Sequence, residues 1–276
     1  MSGSDDKTIM VWDGVRCVRV ARLETPHEGN IFSVIWLPGT EDGLLASGAG
    51  DCRVCLVDVE AGAVTRTVAG HQGRVKRLAV AGDAPAVVWS GGEDGLVRQW
   101  DTREKWTADS ANVIVNLTNQ VCVIAYYDFR TATFLHKLLQ VCRSAEVKCL
   151  TICPSRPELM AVGANDPYVR VYDRRNISFA PIDTSCEPSE SPSGAVAYFV
   201  PGHLPGSEAK FHRRLRPLAS TYITYNQAGT ELLCNLGGEQ VYLYDRWALY
   251  CNRGPEFNMA VISNCDNASS IRIKEG

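Results

Sequence analysis

SGGEDGLVRQWD occupies residues 90–101, and four other phrases align with it without gaps: SGSDDKTIMVWD from Ser2, SGAGDCRVCLVD from Ser47, VGANDPYVRVYD from Val162 and CNLGGEQVYLYD from Cys234. Each sets small residues first, then a turn acid, then six residues of strand-like sequence that end on Asp. The paired acids are Asp6 and Asp13, Asp51 and Asp58, Asp94 and Asp101, and Asp166 and Asp173. The fifth phrase keeps Asp245 but has Gly238 at the turn. Self-similarity of this kind signals a stacked architecture in which each unit buries its faces against its neighbours.

The final acids are 45, 43, 72 and 72 residues apart, so two steps have the length of a four-stranded unit and two carry insertions. A histidine opens several units: His27, His71 after Gly70, and His203 after Gly202. Within a unit the pattern reads as short strands, IFSVIW, GLLASG, RVCLVD and AVTRTV, separated by turn residues such as Pro38-Gly39 and Ala61-Gly62. No segment carries a sustained helical stripe. The last strand of each phrase is apolar on both faces, which suits a sheet covered on both sides by other sheets.

Size and composition allow one large domain or two small ones at 276 residues. A hydrophobic fraction of 45% and a formal charge of −3 give no global attraction for a polyanion, so direct nucleic-acid binding is not expected. No apolar run is long enough to span a bilayer, and MSGSDDKTIM lacks the blocks of a signal peptide, so neither membrane insertion nor export is expected. Eleven cysteines in a chain of this kind read as reduced thiols of the cytoplasm or nucleus. Cys52 and Cys55 form a CxxC, but in extended sequence residues three apart face opposite sides, so no metal or disulfide is expected of them. GxSxG, GKS/T, HExxH and a complete dinucleotide fingerprint are all absent from the sequence, and neither catalysis nor a cofactor is expected.

The GH…SGS.D…WD pattern at a period in the low forties resembles the WD-repeat β-propeller over nearly the whole chain. The resemblance implies an all-β, incomplete propeller of about four and a half blades. It also implies a structural network of His, turn Asp, strand Ser and Trp, which the third unit matches with His71, Asp94, Ser90 and Trp100. The second unit has His27, Asp51 and Ser47 but Val57 at the Trp position, so its network is expected to be incomplete. Asp166 and His203 fall in the same structural set.

Longer phrases are more specific. NIFSVIWLP from Asn30, VWSGGEDGLVRQWDTRE from Val88, VKCLTICP from Val147, MAVGANDPYVRVYDRR from Met160 and TYITYNQAGTELLCNLGGEQVYLYD from Thr221 resemble the WD and tetratricopeptide repeats (adipose) family. The resemblance implies a non-catalytic substrate receptor of a cullin four RING ubiquitin ligase, linked to restraint of fat storage. Its implied partners are the damage-specific DNA-binding adaptor of that ligase and an unknown protein substrate. Receptors of this class end a blade on WD-x-Arg, which carries over to Trp100, Asp101 and Arg103, and in variant form to Tyr172, Asp173 and Arg175. An Arg two residues past the strand end sits on the rim, where its planar fork suits a carboxylate or carbonyl of a partner. Without such a partner it is a solvated rim residue, and the protein is a general WD-repeat scaffold.

The expected organisation is a partial propeller over residues 1–252 and an unassigned tail over 253–276. Within it lie an insert at 121–140, a mobile loop at 176–194 and an insertion at 203–217 that holds the basic stretch KFHRRLR. The insert is expected to be either a translated retained intron, which transcript reads always including it would refute, or a real, partly apolar extension of an outer strand. Relative to the family, the chain starts midway through a blade and lacks tetratricopeptide pattern after Arg246, so a fragment unable to fold alone is a third expectation. In the fifth unit Trp247 replaces the docking Arg, and no third docking motif is expected there.

Overall fold

The repeated phrase builds the second and third strands of an antiparallel sheet in the last four units and the first two described strands in the first. The computed structural model describes residues 1–106, 112–118, 146–177, 194–199, 201 and 218–245. The 121–140 insert, His203 and the 203–217 insertion, the tail, Trp247 and most of the 176–194 loop lie outside the described residues.

The first sheet runs β1 (Ser2–Gly3), β2 (Thr8–Asp13), β3 (Val18–Glu24), and the second β4 (Ile31–Trp36), β5 (Leu44–Ala49), β6 (Arg53–Asp58), β7 (Ala63–Ala69). The third runs β8 (Val75–Val80), β9 (Val87–Gly92), β10 (Leu96–Asp101), β11 (Val113–Asn116). In the fourth, β12 (Val147–Ile152), β13 (Leu159–Ala164), β14 (Val169–Asp173) and β15 (Ala195–Phe199) follow the same order. The fifth has β16 (Ala219–Tyr225), β17 (Glu231–Gly237) and β18 (Val241–Asp245). All neighbours pair antiparallel in chain order. The first strand of each sheet lies against the first strand of the next, so the five sheets stack as WD-repeat blades with those strands innermost.

A separate apolar core fills each of the four gaps between successive sheets. Ile9 and Val11 meet Ile31 and Leu45, while Val54 and Leu56 meet Val75, Leu78 and Trp100. Trp89 and Val97 meet Val147 and Met160, and Leu159 and Val169 meet Ile223, Leu232 and Tyr244. Strand alternation explains the doubly apolar third strands: in β6, Val54 and Leu56 face one neighbour and Val57 the other.

The same construction fixes the glycine of the repeated phrase. A Cβ on Gly48 would stand 2.5 Å from Val75 Cγ1, and one on Gly91 would stand 2.6 Å from Val147 Cγ1. Gly3 faces Ile31 and Gly163 faces Cys149 and Ser220 in the same way. Close approach of the next sheet's innermost strand, rather than turn geometry, requires the missing side chain. The innermost strands also share a bulge, at Phe32, Lys76, Lys148 and Thr221. One expectation is corrected: Cys52 is not in extended sequence but in the turn before β6, with φ 66°, and only Cys55 lies in the strand.

Candidate functional site

In the first four units the two acids stand at opposite ends of one strand, roughly 20 Å apart at about 3.3 Å per residue. The turn end is buried in the second, third and fourth units, whereas Asp6 of the first is exposed. His71 Nδ1 lies 3.0 Å from both Asp94 oxygens and its Nε2 2.7 Å from Ser90 Oγ, which also accepts the Trp100 indole N–H at 2.7 Å. Backbone N–H groups of Gln72 and Leu96 donate to Asp94 at 2.9 and 3.2 Å. Burial raises the Asp94 pKa, but the His71 contact and these N–H donors outweigh it and hold the carboxyl below its ordinary value.

The second unit repeats this with His27 3.1 Å from Asp51 and 2.9 Å from Ser47 Oγ. Asp51 is likewise held low: burial opposes, and the Glu28 N–H and His27 prevail. With Val57 in the Trp position, no indole reaches Ser47. Cys55 Sγ stands 4.0 Å from His27 Nδ1, and burial pushes its thiol up to about 11. Ser47 and Ser90 are fully buried, so the His, Asp and Ser groups that resemble a hydrolase triad have no open face for a substrate.

The fourth unit differs. Asp166 takes a guanidinium, with Arg170 Nη2 donating to Oδ2 at 2.6 Å and Nη1 to Oδ1 at 3.0 Å, both residues buried. Sequence reading missed Arg170. Its position, four past the turn acid, holds Met10 and Cys55 in the first two units and Arg98 in the third, so an Arg recurs there in only one other of these units.

The strand-exit end is exposed. Arg103 closes a fork on Asp101, with Nε donating to Oδ1 at 2.9 Å, Nη2 to Oδ2 at 2.6 Å and the backbone N–H to Oδ1 at 2.8 Å. Arg175 closes the same fork on Asp173, at 3.0, 2.7 and 3.0 Å. The Arg side chains are 75% and 68% exposed. Each Arg holds its Asp below the ordinary carboxylate value, and each Asp raises its Arg. Trp100 and Tyr172, grouped with these residues by sequence, are instead buried between sheets, because strand alternation turns them inward. They position the exit without facing a partner.

Two neighbours that the sequence did not single out stiffen the exits. The Trp106 indole N–H donates to the Asp101 carbonyl at 2.7 Å, and its ring packs 5.8 Å from Trp100. Arg174 donates to Asp83 of the third sheet at 2.9 and 3.0 Å and lies 4.6 Å over the Trp89 ring. Their signal was adjacency alone, in WDTREKW and YDRR. Among the described residues no cluster of His, Cys, Asp or Glu can hold a metal, and no helix is long and apolar enough to cross a membrane.

The WD domain, G-beta repeat family matches residues 62–101, the span from β7 to the first fork. WD and tetratricopeptide repeats protein 1 of Homo sapiens is 38% identical over 88% of this chain and 34% of its own length. Protein ALTERED SEED GERMINATION 2 of Arabidopsis thaliana is 33% identical over 92% of this chain and 33% of its own. DDB1- and CUL4-associated factor 6 of Homo sapiens is 29% identical over 89% of this chain and 25% of its own. The chain thus spans about a third or less of the length of these relatives. By repeat, sheet order and sequence it is a WD-repeat β-propeller protein, similar over most of its length to WD and tetratricopeptide repeats protein 1.

Proposed function

We propose that this chain is the non-catalytic substrate-receptor part of a cullin-RING ubiquitin ligase, and that it meets the ligase adaptor through Arg103 and Arg175. The observation that carries the reading is the duplicated fork. Two blades present the same exposed Asp-Arg pair at the same end, each on a turn braced from behind. Pre-ordering the guanidinium on its own Asp lowers the entropy lost when the outer edge of the fork meets a partner. The name of DDB1- and CUL4-associated factor 6, a relative 29% identical over 89% of this chain, supports DDB1 as that partner. Ubiquitin transfer belongs to other subunits, and the receptor accelerates it by holding a target near them. The protein works in the cytoplasm or nucleus, and restraint of fat storage is the output that the family resemblance adds to this proposal.

The test is co-purification of the adaptor with the chain and with its Arg103→Glu/Arg175→Glu variant. The reading predicts capture by the former and loss in the latter, with unchanged folding by circular dichroism. Equal capture by both contradicts adaptor docking at the forks, and capture by neither favours the general scaffold.

A further inference from the structure

A cleft of about 460 Å³ lies beside the first fork, between the outer strand of the second sheet and the turn that leaves the third. β7 contributes Thr65 and Arg66 to one wall, and the turn contributes Arg103, Glu104, Lys105 and the half-buried Trp106. The walls are joined, since Arg66 Nη1 donates to the Glu104 carbonyl and Trp106 is held by the Asp101 carbonyl. The hollow therefore exists before any partner arrives. With Arg103 paired to Asp101, two further cations, Arg66 and Lys105, stand against one acid, Glu104. On a chain whose formal charge is −3, this is a local reversal of sign, and such a concave patch draws anionic groups toward it.

We infer that the cleft receives an acidic segment of the same adaptor that the Arg103 fork meets, with an Asp or Glu side chain placed between Arg66 and Lys105. The inference rests on the docking reading and adds to it the chemistry of the contact and its asymmetry. The second and third blades, around Arg66 and Lys105, take the acidic segment; the Arg175 fork adds a second, separate point of attachment. Trp106 supplies an aromatic wall beside the ion pair, and complementary charges of this kind fix register and speed association.

The experiment uses the full chain with purified DDB1 and measures affinity at two salt concentrations for Arg66→Glu, for Lys105→Glu and for Arg103→Glu/Arg175→Glu. Zero-length carbodiimide cross-linking of the wild-type complex then locates Lys105 against carboxylates of the partner. The inference predicts about tenfold weaker binding in each cleft variant, a shallower salt dependence, and Lys105 cross-links to Asp or Glu of the adaptor. Thermal unfolding of each variant separates weak binding from misfolding, and the cross-links need no substitution. Cleft variants that bind within twofold of wild type, without Lys105 cross-links, overturn the inference while loss in the fork variant keeps the docking reading. Unchanged binding in all variants overturns both. Competition by inorganic phosphate without cross-links makes the cleft a small-anion site and also overturns the inference.

Discussion

His71 and Asp94 show how much one buried pair can decide. The ring nitrogens reach Asp94 in the β9–β10 turn and Ser90 on β9 at once, so removing the ring leaves both without that partner. We expect His71→Ala to destabilise by about 3 kcal/mol in denaturant unfolding, the scale of a broken buried pair. Asp94 and Asp51 titrate below the ordinary carboxyl value of 3.8. Their ionised forms therefore contribute stability above about pH 4, and that contribution is lost as pH falls through the lower folded values. Asp94→Asn should flatten the acid limb of a stability-against-pH curve, and an unchanged limb would refute the assignment. These residues were legible because the second and third units both set a His 24 or 23 residues before the turn Asp. Arg170 was not, because its position varies with whatever the local turn acid and neighbouring sheet require.

At the level of the element, the repeated glycines mark where one blade's innermost strand presses on the blade before it. Gly91→Ala places a methyl group against Val147, and we expect about 1–3 kcal/mol of destabilisation from overpacking, against little change for Gly14→Ala, which has open space around it. Thermal unfolding of the two variants compares them directly. In the fourth sheet, a double-mutant cycle on Asp166→Asn and Arg170→Met should give a coupling energy of about 1–3 kcal/mol. A cycle that closes to zero would mean the two act through separate partners. Strand positions were readable from alternation and turn residues. The shared bulges at Phe32, Lys76, Lys148 and Thr221 were not, since one extra residue in a strand leaves no mark in a binary apolar pattern. The placement of Cys52 failed because it precedes the strand read as RVCLVD and adopts a turn conformation, φ 66°, instead of an extended one.

Across the molecule, the period of the phrase dictated the five sheets, and with no helical stripe in the sequence to cover them, sheets apolar on both faces stack on one another. The stacking sorts the two acids of each of the first four units to opposite ends of one strand. One end closes into His-Asp and Arg-Asp pairs with structural work; the other opens into the Arg103 and Arg175 forks. The forks were foreseen by family resemblance and not by physics, because a surface Arg carries no sequence mark of what it meets. The cleft at Trp106 was invisible, since its walls come from two sheets whose contact only the fold creates. The most direct measurement is amide hydrogen exchange of the full chain with and without the DDB1 adaptor. Docking at the forks predicts slowed exchange in the turns at residues 102–104 and 174–176 and unchanged exchange in the buried-pair turns at 51–53 and 94–96. Slowing confined to the buried-pair turns, with none at the forks, would contradict it.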